Sequence, residues 1–228
     1  MQLPEESASP LSAEAANELL VASRRAGGAL MARHSRRSEA IQACWGSVWL
    51  VGFGVLWVSE VSSVVDRFVA LLILAIASLV GIAVTIWVAR RHSSELMGKG
   101  RRDNDRSVVA WVVAIVAGQV FTAGLYPLGV DPDMVLLVVQ PAVVSIGIGL
   151  VLLTSGLTLS AGSDAIAGAV LVAVGAVAPF VPVPINLALF SLVGGGGMLV
   201  MAGASSWRRI RRERLLGEAD HLPGIAHD

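Results

Sequence analysis

The chain has 228 residues, 55% of them hydrophobic and 15% charged, with no net charge. A soluble domain carries about 25% charge, so this composition excludes an ordinary water-soluble domain. Recurrent uncharged blocks of about 20 residues predict an all-α, polytopic membrane protein. The single cysteine, Cys44, excludes an intrachain disulfide and a cysteine-cluster metal site.

The first forty residues form a mixed, charged cytoplasmic tail and are not a signal peptide, because no apolar core follows a short basic start. Within them, residues 12–40 predict an amphipathic interfacial helix. Ser12 followed by acidic residues suits a helix start. Leu19, Ala22, Ala26, Leu30 and Met31 fall along one side, and arginines occupy much of the rest. Gly27 and Gly28 interrupt this pattern. Such a helix suits the inner leaflet, with its arginines near anionic lipid.

Residues 41–206 are read as a membrane domain of six spans, at about 41–58, 68–89, 108–129, 134–154, 162–179 and 185–206, and 207–228 as a basic cytoplasmic tail. Span one covers about 27 Å at 1.5 Å per residue, which suffices to cross. Pro141 sits about two turns into span four. It is expected to kink that helix or to mark its true start. The long uncharged run 165–207 is about twice the length of one crossing. Pro179, Pro182 and Pro184 stand in its middle and cannot continue a helix, so it predicts two spans joined by a turn. Asn186 is expected to cap the second.

The basic residues test the count. With the N-terminus in the cytoplasm, six spans leave sixteen of the seventeen lysines and arginines inside. Only Arg67 falls outside, with Glu60, Asp66, Asp131 and Asp133. Both termini are therefore expected inside a plasma (inner) membrane. The abundance of Ala, Gly, Val and Arg suits a bacterium with a GC-rich genome. Trp87, Trp111 and Trp207 adjoin arginines and are expected at the headgroup level. Trp45 and Trp57 could mark the ends of span one, whereas Trp49 is expected in the core.

No charged residue lies deep in any predicted span, and all four histidines lie in aqueous segments. No catalytic or phosphate-binding motif is present. The expectation is a non-enzymatic protein without metal or cofactor. Asp103, Asp105, His92 and Glu95 are read as a solvated loop cluster. The intramembrane polar candidates are Gln119, Thr122, Tyr126, Gln140 and Asn186, for helix–helix hydrogen bonds or for lining a path. Thr85 is another polar span residue. Small residues at Ala165, Ala169 and Ala173, at Gly147 and Gly149, and at Gly194–Gly197 favour close helix packing. The four-glycine run could instead mark a local break.

Six spans, a surface helix and a charged loop between spans two and three resemble, in layout, the permease subunits of ATP-driven exporters. That resemblance implies an interfacial role for residues 14–38 and ATPase coupling for the 90–106 loop. The partner-contact candidates there are Arg90, Arg91, Glu95, Lys99, Arg101, Arg102 and Arg106. The turn between spans five and six departs from that family, having no room for its two short re-entrant helices. The leading expectation is thus a transporter subunit, partnered by the lipid bilayer and a cytoplasmic ATPase or another membrane protein. The alternative is a membrane scaffold or regulator. Self-association is also open, and nucleic-acid binding is not expected, because topology explains the basic clusters.

Overall fold

A computed structural model describes residues 12–62, 64–93, 109–110, 113, 115–158 and 162–220. The chain divides into two units, the first ending at Arg36 and the second starting at Arg37. No strand occurs among the described residues. Five helices there are long and apolar enough to cross a bilayer. The chain is a largely apolar, helical, multi-pass membrane protein.

Helix α1 is Ala13–Ser62, and its apolar stretch is Arg36–Ser62. Ser12 caps it, its hydroxyl accepting the Ala15 N–H at 3.2 Å. Gly27 and Gly28 are helical, so the pair does not end the helix. In the first unit, Leu19, Leu20 and Val21 are exposed.

The second unit is the bundle. Helix α2 is Arg67–Ser93, started by Asp66, whose carboxylate accepts the Phe68 and Val69 N–H groups. The expected third span appears as a shorter apolar helix, α3, Ile115–Leu128. Helix α4 is Pro132–Leu157, capped by Asp131. Helices α5, Gly162–Phe180, and α6, Ile185–Arg211, come from the long uncharged run. The turn between them contains Pro182 and Pro184, the latter in a cis peptide bond, and α6 continues as helix to Asp220. Two helices in that run are as the prolines dictate.

Close approach holds the bundle together. Lipid tails are as apolar as leucine, so packing and hydrogen bonds must replace hydrophobic drive between helices. Helices α4 and α5 touch backbone to backbone along Ala142, Gly149 and Gly156 on one side and Gly168 and Gly175 on the other. A Cβ at Gly168 would stand 2.4 Å from the Leu153 nitrogen, and one at Gly149 would stand 2.7 Å from the Gly168 carbonyl. These small residues recur every seven, the period that keeps one seam facing a neighbouring helix. Of the alanine series expected to pack, Ala165 lies on that seam against Gly156, whereas Ala169 and Ala173 are exposed. Ser145 ties the same pair, donating to the Leu171 carbonyl at 2.8 Å.

The four-glycine run divides in two. Gly195 lies against Gly46 and Leu50 of α1, and Gly194 lies against the Trp49 ring, whereas Gly196 has open space. The helix does not break there. Residues Leu189–Gly195 form wide π turns and continue as α-helix. Ser191 donates to the Leu50 carbonyl at 2.8 Å, a second tie to α1. Trp49, Phe53 and Phe190 form an aromatic cluster in the core, with Trp49 edge-on to both phenylalanines. Trp45 is also buried, its indole N–H donating to Thr85 of α2 at 3.0 Å. It therefore joins two helices.

The two ends of the bundle differ in charge. At one end, Arg67 pairs with Glu60 of α1 at 3.1 Å and with Asp133 of α4 at 3.0 Å. At the other end lie Arg90 and Arg91 of α2 and Arg208, Arg209, Arg211 and Arg214 of α6. Trp87 and Trp207 are exposed there, each beneath an arginine one turn on: Arg91 at 5.3 Å and Arg211 at 5.6 Å. An exposed ring stacked with a cation suits the headgroup region. Trp111 lies outside the described residues.

Candidate functional site

The deepest charged chemistry lies at the basic end, around the start of the apolar part of α1. Three residues there, Ser38, Glu39 and Gln42, show how helical spacing aims side chains. Ser38 and Gln42 are one turn apart and share a face. Asp164 enters from the first turn of α5 and is only 3% exposed. Its Oδ1 accepts from the Gln42 amide at 2.7 Å and from the Ser38 hydroxyl. Gln42 also donates to Ser38 at 3.2 Å, and its own Oε1 is buried without a hydrogen-bond partner.

Glu39 points to a different neighbour. Its Oε2 accepts from Arg209 and from the Ser206 hydroxyl of α6, both at 2.9 Å. Five polar side chains and Arg209 thus join α1 to α5 and α6 in one girdle. Burying carboxylates costs free energy unless donors surround them, and here each has several. A buried ionisable residue at a span end is a functional candidate, and among the described residues the girdle holds the two buried carboxylates, Glu39 and Asp164. Chemically it can hold three helix ends together, and it can release them if its charges are altered. Among the described residues, no three His, Cys, Asp or Glu side chains gather as a metal site.

Asp164 falls at the start of the predicted span 162–179, and no sequence motif singles out Gln42. The available signal was Ser38, Glu39 and Gln42 arriving just as the apolar run begins. Its partners are more than 120 residues away, and nothing in one dimension pairs them.

The polar candidates read from sequence lie elsewhere. Gln119 of α3 and Gln140 of α4 meet, the Gln140 amide donating to Gln119 Oε1 at 3.0 Å. Gln119 is exposed and Gln140 half-buried. Thr122 is buried but bonds only within its helix, to the Gly118 and Gln119 carbonyls. Tyr126 is exposed in a short 3-10 turn at the acidic end.

Asn186 is not a cap. Pro184 occupies that position, and Asn186 is fully buried inside the first turn of α6. Its amide donates to the Leu137 carbonyl of α4 at 3.0 Å. Leu137 lies four residues before Pro141, which has no N–H to offer it. Residues Val135–Val139 form a π turn at this place, and Asn186 supplies the missing donor. Pro141 therefore opens the helix locally without ending it.

Of the partner-contact candidates, Arg90 and Arg91 lie at the end of α2, on an open surface recess; a second such recess lies on α6. One is lined by Ala83, Ile86, Trp87, Arg90 and Arg91, and the other by Trp207, Ile210, Arg211 and Arg214. Glu95, Lys99, Arg101, Arg102 and Arg106 lie outside the described residues, as do Asp103 and Asp105. Comparisons with protein-family models, curated proteins and solved structures gave no match.

Proposed function

We propose that this chain is a non-enzymatic membrane subunit that works by docking to other membrane proteins, as a scaffold or regulator. The observation that carries this reading is the disposition of its polar groups. In the bundle, Ser145, Ser191, Asn186, Gln42, Glu39 and Asp164 all bond from helix to helix. They serve packing, and close glycine seams fill the space between the helices they join. A broad apolar surface on α2 and α3 faces outward. Exposed apolar area in a bilayer is open to lipid or to a partner helix. The orientation adopted is both termini in the cytoplasm of an inner membrane, from the gathering of basic residues at one end.

A second reading is a transporter subunit coupled to a cytoplasmic ATP-binding protein. It is favoured by the two arginine-lined recesses at the basic end, which would present a docking surface on that side.

Gentle extraction from the native membrane, followed by mass spectrometry of stoichiometric companions, tests both. A membrane protein recovered as the constant companion is expected. A bound ATP-binding subunit would replace this reading with the transporter one, and recovery with no companion and no self-association would refute both.

A further inference from the structure

The Gln119–Gln140 pair is a polar feature midway along the outward surface of α3 and α4, apart from the exposed Asp133 at the acidic end and from Thr154, which bonds within its own helix. Both side chains lie roughly 13 Å from the acidic end at 1.5 Å per residue, near the middle of a hydrocarbon core of about 30 Å. One hydrogen bond joins them. It leaves the Gln119 Nε2 hydrogens and the Gln140 Oε1 lone pairs without a bond among the described residues. Gln119 is exposed, and a lipid chain can satisfy neither group.

We propose that two copies of this chain pair through this face, Gln119 Nε2 of each copy donating to Gln140 Oε1 of the other. The proposal deepens the docking reading above and rests on it, with a second copy as the partner. The chemistry argues for a copy rather than a foreign helix. The pair presents one open donor group and one open acceptor side by side. A two-fold rotation brings each against its complement and closes a ring of four amides, the self-complementary arrangement of an isologous interface. Turning both amides over exchanges their roles and leaves the complement intact. The pair carries no charge, so no repulsion opposes the meeting. The surrounding surface is apolar or small: Val116, Val120, Ala123 and Gly124 on α3 and Leu136 on α4 are exposed. Small residues there let two backbones approach.

The test uses the full chain with Cys44→Ala, labelled on its C-terminal tail and reconstituted in phosphatidylcholine vesicles over a range of protein-to-lipid ratios. Energy transfer is expected to rise with density and saturate at two copies. Gln119→Leu and Gln140→Leu are each expected to raise the dissociation constant about 5- to 30-fold. Far-ultraviolet circular dichroism checks that each variant retains its helices. As a measurement that leaves both glutamines in place, Val120→Cys in the Cys44→Ala background is expected to give an oxidised covalent dimer. Ile166→Cys, exposed on α5, is expected to give none.

A single copy at every density overturns the pairing, as do leucine variants that associate like the parent or equal crosslinking at both cysteines. If a different membrane protein copurifies and is lost in Gln119→Leu, the self-pairing fails and the docking reading stands. If neither a copy nor any companion is found, both fail.

Discussion

Replacing Gly168 by alanine adds one methyl group at a tight part of the α4–α5 seam. That carbon would lie 2.4 Å from the Leu153 nitrogen, 2.6 Å from the Gly149 carbonyl oxygen and 2.8 Å from the Leu153 Cα. All three are backbone atoms, so no rotamer change relieves the clash. Ordinary contact begins at 3.4 Å, so the two helices must separate by about 1 Å. Separation loosens the contacts along the seam and lengthens the Ser145–Leu171 hydrogen bond. Overpacking of this kind costs about 1–3 kcal/mol. Alanine is otherwise the better helix former by about 1 kcal/mol, so the net loss should be about 0–2 kcal/mol, up to roughly 30-fold in the unfolding equilibrium, and about 1–3 kcal/mol relative to a glycine-to-alanine change that meets no clash. The assay is reversible unfolding in mixed micelles followed by helicity, with Gly203→Ala as the control. Nothing lies within 4 Å of a Cβ built at Gly203, so that variant should be neutral or slightly more stable. Equal stabilities for Gly168→Ala and Gly203→Ala would refute the seam argument.

Asn186→Leu should cost about 1–3 kcal/mol, because the Leu137 carbonyl loses its donor inside the bundle. Pro141→Ala restores an N–H near that carbonyl, so a double-mutant cycle should find the Asn186 loss smaller in that background; additive effects would contradict the assignment. Asp164→Leu should destabilise by about 1.5–3 kcal/mol, and Asp164→Asn by less, since the amide oxygen still accepts from Gln42 and Ser38; unfolding midpoints of the two variants decide it. For topology, Val64→Cys in a Cys44→Ala chain should react in intact cells with a membrane-impermeant thiol reagent, and Arg214→Cys only after lysis. The reverse pattern would invert the orientation.

Much of the fold is legible because it depends on local composition. Apolar length marks the helices, and three prolines within six residues mark the α5–α6 turn. Ser12, Asp66 and Asp131 start helices with their own oxygens. The less legible parts depend on register. The seam residues recur every seven, and of the more conspicuous alanines every four, Ala169 and Ala173 face outward. The π turns at 135–139 and 189–195 leave no composition signal, so neither the role of Asn186 nor the division of the four glycines could be read. Gln119 and Gln140 were visible as mid-membrane polar residues, but their pairing was not. Glu39, Gln42 and Asp164 sit where an apolar run meets a charged one, and there a buried polar residue and a solvated one look alike in one dimension.

Helix α1 meets α6 at Gly46 and Gly195, and Glu39 bonds Arg209 across 170 positions of the chain. The α4–α5 hairpin, by contrast, closes between near neighbours and can form soon after its two segments enter the bilayer. During synthesis the first helix must therefore wait for the last. Until α6 arrives, the glycine face of α1 and the Glu39 carboxylate stand uncovered at the membrane boundary. A chain truncated before residue 185 keeps its hairpin but has nothing to close α1. It would present membrane quality control with an unpaired carboxylate at the membrane boundary as the mark of an unfinished protein.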